Sequence, residues 1–110
     1  MEPAVIRVSG LPDAPLDAAA AFFRDHVPAA RDALRQAELL IVVFEPAEHG
    51  HRAWRLSAVQ ELAREAAPLR VNGVVGDDPL AIDEAIAYLA AAPGVTGQLL
   101  AVDGKAGKID

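Results

Sequence analysis

The chain has 110 residues, no cysteine and a formal net charge of −6. That length fits one domain able to bury a core without staples, and the lack of thiols removes disulfides, thiolate nucleophiles and cysteine-held zinc. The acid excess and scattered arginines argue against nucleic acid as a partner, because phosphate binding needs clustered Lys and Arg, and the only lysines are Lys105 and Lys108 in the tail.

MEPAVIRVSG opens the chain without a basic patch ahead of a long apolar stretch, so no signal peptide is expected and the expected location is the cytoplasm. VIRV at 5–8 reads as a short strand, and SGLPDAP after it as a turn-rich loop. Asp13 or Ala14 can cap a helix with Pro15 at its first position. Leu16, Ala20, Phe23, Val27, Ala30 and Leu34 then recur at helical spacing, and Pro28 inside that pattern predicts a kink or a split. Arg24, Arg31 and Arg35 with Asp25 and Asp32 predict an exposed face laced by salt bridges.

LLIVVF at 39–44 is a continuous apolar run, as expected of a parallel strand buried on both faces. It is the longest such run and far too short to span a bilayer, so no membrane partner is expected. Residues 46–50 read as a loop. Residues 52–67 read as an amphipathic helix with Trp54, Ala58, Val59, Leu62 and Ala66 on one side, stopped by Pro68. Residues 69–75 form a third strand pattern. Asp78 caps and Pro79 opens a further helix whose Ile82, Ile86 and Leu89 share a face. Pro93-Gly94 ends it, residues 98–102 read as the last strand, and 105–110 as a polar tail.

Strands and helices thus alternate as β-α-β-α-β-α-β within one domain, residues 1–104. That order predicts an α/β fold with four mostly parallel strands and helix crossovers.

The second half carries a more specific pattern. LAREAAPLRVNGVVG ends a helix in Ala63-Arg64-Glu65, continues through Pro68 and enters a strand as Arg70-Val71-Asn72. AIDEAIAYLAAAPGVTGQLLAVDG then gives a helix, a Thr-Gly-Gln turn and a strand ending in Val102-Asp103-Gly104. Residues 56–104 resemble the closing part of the short-chain dehydrogenase/reductase family. The resemblance implies a three-layer Rossmann-like half-fold corresponding to strands four to seven of that family, in sequential order. It also implies a left-handed crossover before the last strand, against the general rule. The last helix would then sit alone on its sheet face, with the neighbouring apolar surface of the first two strands bare.

The family's chemistry needs a tyrosine with a lysine four residues on, a serine, an asparagine and a glycine-rich phosphate turn. The only tyrosine here is Tyr88, with Ala92 four residues later. Where the Tyr-x-x-x-Lys would fall, the chain reads Glu48-His49-Gly50-His51-Arg52. The strand that should end in the serine ends in Phe44-Glu45-Pro46, and the only asparagine, Asn72, matches the structural Arg-Val-Asn. No Gly-x-x-x-Gly-x-Gly turn is found. The loops expected at the strand ends, 10–15, 46–50 and 76–78, are all short.

No catalytic, cofactor-binding or metal-ligating residue is therefore assigned. His49 and His51 lack a third ligand at metal spacing. His51 and Arg55 could imitate Tyr-x-x-x-Lys on one helix face, but no dinucleotide site accompanies them. Gly73-Val74-Val75-Gly76 reads as close backbone packing and a turn. The expected function is a degenerate, non-catalytic dehydrogenase-like domain acting as an oligomerisation or interaction module, without a cofactor. Partners would be a second copy or a full-length dehydrogenase. Phe22, Phe23, Trp54 and Tyr88 are the candidate interface residues. The alternative is an NAD or NADP binder or oxidoreductase that completes its site across a dimer or with a partner chain. Candidate dimer surfaces, by the resemblance, are the helices at 16–36 and 52–67, and the last helix and strand at 80–102.

Overall fold

The computed structural model describes residues 2–103; the expected polar tail at 105–110 lies outside them. The elements run β1 (Ala4–Val8), α1 (Pro15–Asp25), α2 (Val27–Ala33), β2 (Leu39–Phe44), a 3-10 turn (His49–His51), α3 (Arg52–Ala66), β3 (Arg70–Val75), α4 (Pro79–Ala90) and β4 (Leu99–Ala101). Pro15 and Pro79 open α1 and α4, where a missing N–H leaves no helical bond unmade. Asp78 caps α4 by accepting from Ala81 N at 2.9 Å. Ala14, not Asp13, holds the cap position of α1, and no side chain bonds there. Pro28 splits the second segment as expected: α1 stops at Asp25, and α2 starts at Val27 with Pro28 in its first turn. Its ring could not have continued α1, since it offers no N–H to the carbonyl four residues back.

All four strands are parallel and lie in the order β1-β2-β3-β4. This is an open α/β Rossmann-like half-fold. β2 is interior and every one of its residues is buried. Alternation along it separates two cores. Leu40, Val42 and Phe44 pack with Phe22 of α1, Val27 of α2, and Val59 and Leu62 of α3. Leu39, Ile41 and Val43 pack on the other face with Ile82, Ala85 and Leu89 of α4.

The sheet therefore advances one strand at a time in one direction, with α1, α2 and α3 on one face and α4 on the other. The first two crossovers share one hand and the third has the opposite hand. Since such crossovers are right-handed almost without exception, the third is the left-handed one. The expected bare apolar surface of β1 and β2 is corrected in one respect. Leu39, Ile41 and Val43 are 3%, 0% and 5% exposed, because α4 leans over β2. Only β1 remains open on that side, through Val5 and the exposed Arg7.

The Thr-Gly-Gln turn fastens β4 to β3. Asn72 is fully buried; its Nδ2 donates to Val95 O at 2.9 Å, and its Oδ1 accepts from Gln98 N at 3.0 Å. Val71 N donates to Thr96 Oγ1 at 3.1 Å, and Gly97 N donates to Val71 O at 2.7 Å. Gly97 holds φ at +74°, a conformation glycine adopts without penalty. Arg70 Nη1 donates to Leu89 O at 3.0 Å and Ala92 O at 2.9 Å, closing the carboxyl end of α4 with a positive charge. Arg-Val-Asn is thus a structural device: the arginine holds a helix end and the asparagine holds a turn. Gly73 lets α3 and β4 approach, since an added Cβ would lie 2.7 Å from Leu99 Cδ1 and 3.0 Å from Val59 Cγ2.

Candidate functional site

In open α/β sheets ligands collect beyond the carboxyl ends of the strands. Here that edge carries the loops after β1, β2 and β3. On the α4 side it holds a crevice of about 490 Å³, lined among others by Ser9, Val43, Glu45, Asp77 and Asp83. On the α1 side, Gly10, Leu11, Asp13, Glu45, Glu48 and His51 border a second, more polar depression of about 560 Å³.

Glu45 follows β2 directly and bridges the two loops. Its Oε1 accepts from Gly10 N at 3.2 Å, and its backbone oxygen accepts from Arg55 Nη1 at 2.8 Å. His51 turns inward and is 9% exposed. Trp54 Nε1, which can only donate, lies 3.0 Å from His51 Nδ1. Nδ1 is therefore the acceptor, and Nε2 carries the proton that it donates to Asp13 O at 2.9 Å. Both ring nitrogens are committed to the fold. His49 is exposed, so the two imidazoles face different surroundings. Among the described residues no group of three or more His, Cys, Asp or Glu is placed to hold a metal ion.

His51 and Arg55 do share one side of the α3 start, as their spacing predicts. Arg55 is 7% exposed. Its guanidinium lies 4.8 Å above the Phe44 ring centroid and 5.8 Å from that of Trp54. Burial pulls its pKa below the ordinary arginine value, while the Glu45 carboxylate pushes the other way. The group stays charged. The burial of Arg55 was missed in the sequence, although the signal was there: it stands three and four residues before Ala58 and Val59, in the register of the buried stripe.

The start of α4 at this edge is already used. α4 starts with Pro79, which has no N–H, and the Asp78 carboxylate takes Ala81 N. Asp77 and Asp83 add negative charge beside it.

The four aromatic residues expected at an interface separate. Phe22 is fully buried and belongs to the core, its ring 5.6 Å from Phe44 and 5.5 Å from Trp54. Trp54 is half-buried in the same cluster. Phe23 and Tyr88 are exposed, at 48% and 54%. Tyr88 sits near the carboxyl end of α4, which runs back toward the amino ends of the strands, so it is remote from the strand-end loops. The exposed salt-bridged face forms differently from the expectation. Arg24 pairs with Asp25, but Arg31 reaches Glu65 on α3 through two bonds of 2.7 and 2.9 Å.

No helix among the described residues is long and apolar enough to cross a membrane. No curated protein and no solved structure matches the chain. A family model described as short chain dehydrogenase-like protein matches residues 6–102, from within β1 to just past β4. The chain belongs to the short chain dehydrogenase-like family.

Proposed function

We propose that the chain is a non-catalytic member of this family that acts as an oligomerisation or interaction module, with a second copy or a full-length dehydrogenase as partner. The observation that carries this reading is an apolar stripe on the outside of α1. Leu16, Ala20 and Phe23 recur at i, i+4 and i+7 and are all exposed, Leu16 at 86%. Phe23 meets the buried Phe22 edge-on, their centroids 5.8 Å apart, while 48% of it stays exposed. Contiguous exposed apolar surface of this kind marks association sites.

The chemistry of the strand ends supports the same reading. A dinucleotide needs free backbone N–H groups at a helix start for its pyrophosphate. Pro79, the occupied Ala81 N and the carboxylates of Asp77 and Asp83 make the start of α4 a poor fit for that group. His51 is spent on Asp13 and Trp54, so it does not stand ready as a base in place of the family tyrosine.

Sedimentation velocity across a dilution series tests the module. The wild-type chain should associate at micromolar concentration. Leu16→Glu with Phe23→Glu should give a monomer of unchanged circular dichroism. A wild-type chain that stays monomeric both alone and mixed with a full-length dehydrogenase would sink the proposal. Calorimetric titration with NAD(H) and NADP(H) separates the competing reading, since saturable binding would favour an enzyme completed by a second chain.

A further inference from the structure

Leu16 and Phe23 stand seven residues apart on α1, and so do Asp17 and Arg24. All four are exposed, as is Ala20 midway between them. At about 100° per residue, Leu16, Ala20 and Phe23 fall within about 60° of one another around the helix. Asp17 and Arg24 lie together on one flank of that stripe, about 80–100° from Leu16. The half-buried Ala19 and His26 occupy the other flank, so no carboxylate or guanidinium stands there.

This pattern answers itself. A two-fold axis through Ala20 sets the face antiparallel to a copy of itself and brings like flanks together. With a rise of about 1.5 Å per residue, Leu16 then lies within about 2 Å of the height of Phe23 of the second copy, and Asp17 within about 2 Å of the height of its Arg24. Both complementary pairs thus form twice at a single register. Parallel contact would set the charged flank against the Ala19 flank and leave both charges unanswered. Ala20 presents only a methyl at the axis, so the two backbones can approach closely. Asp17 makes no ion pair among the described residues, and Arg24 spends Nε and Nη2 on Asp25, which leaves Nη1 for a second carboxylate. Asp17 lies in the first turn of α1 and Arg24 in the last, so the opposed helix dipoles favour the same pairing.

We propose, resting on the reading of α1 as an association surface, that its partner is a second copy of this chain, docked antiparallel about a two-fold axis at Ala20 with Asp17 of each copy facing Arg24 of the other.

The chain has no cysteine, so Ala20→Cys places a single thiol at the axis. In a glutathione redox buffer it should form a disulfide-linked dimer at least about tenfold faster than Ala87→Cys, whose thiol stands on the exposed side of α4. Asp17→Arg and Arg24→Asp should each weaken self-association, because each sets like charges face to face. An equimolar mixture of the two should associate roughly tenfold more tightly than either alone at low salt, and so should the double variant. Should a charge variant lose its helical circular dichroism, the cysteine comparison decides alone. A crosslink no faster than that of Ala87→Cys, or a mixture no tighter than the folded single variants, would overturn this geometry while the Leu16 and Phe23 variants still test the module. A wild-type chain that binds only a full-length dehydrogenase would overturn the second copy as partner, and one that binds neither would sink both readings.

Discussion

Asn72→Ala should be among the most damaging polar substitutions in the chain. Asn72 is fully buried, and its amide answers two backbone groups of the turn, Val95 O and Gln98 N. Truncation leaves both without their partner. Each unpaired buried group costs about 1–3 kcal/mol, so the expected loss is about 2–4 kcal/mol once some relaxation is allowed. For a domain near 100 residues, a loss of about 1 kcal/mol lowers Tm by roughly 4–8 °C, so a fall of about 10–20 °C is expected. Urea unfolding followed by the single tryptophan, Trp54, gives the free energy. Hydrogen exchange should show where the loss begins: Leu99–Ala101 should lose protection before Leu39–Phe44, since the turn holds β4 and not β2. A loss under about 1 kcal/mol, or protection lost evenly across the sheet, would refute the idea that Asn72 pins the turn.

Gly73→Ala should destabilise by about 1–3 kcal/mol, the usual range for overpacking, because the new methyl meets Leu99 and Val59 at 2.7 and 3.0 Å. Denaturation with an unchanged midpoint would show that β4 or α3 can simply move aside. The Arg31 hydrogen bonds hold the Glu65 carboxyl below its ordinary pKa of 4.5. Its contribution is therefore complete above the unfolded-state value and is lost as pH falls through the lowered folded value. The stability gap between wild type and Glu65→Gln should be constant near neutrality and close in acid; a gap independent of pH would contradict that pairing.

Much of the fold is legible from local chemistry. Six apolar residues in a row announce β2, and the prolines at 15, 28 and 79 punctuate the helices wherever a backbone N–H can be spared. Asp78 announces its own cap. The candidate site is less legible because its partners are distant in sequence. His51 is fixed by a carbonyl 38 residues away, and Arg31 finds Glu65 across 34 residues. Neither pairing leaves a periodic trace. Phe22 and Phe23 are adjacent and chemically alike, yet one fills the core and the other faces outward. A helical turn of 100° per residue separates them, and only the placement of the neighbouring strands decides which side is inside. The lean of α4 over β2 is likewise a packing outcome, set by the size of Leu89, Ile82 and Ala85 against Ile41.

The change of face at the third crossover has a bearing on synthesis. A chain emerging from its amino end can lay β1, β2 and β3 side by side in order, each added strand arriving with its own covering helix. By the time residue 75 is out, the layer built on α1, α2 and α3 has all but one of its buried members, Leu99 being the exception. The reverse side of that nascent sheet, with Leu39, Ile41 and Val43, stays wet until α4 swings across. Nascent chains halted with residues up to 75–79 out should therefore be the stickiest, and the most in need of a chaperone, because they display a three-stranded sheet with one oily side and no lid.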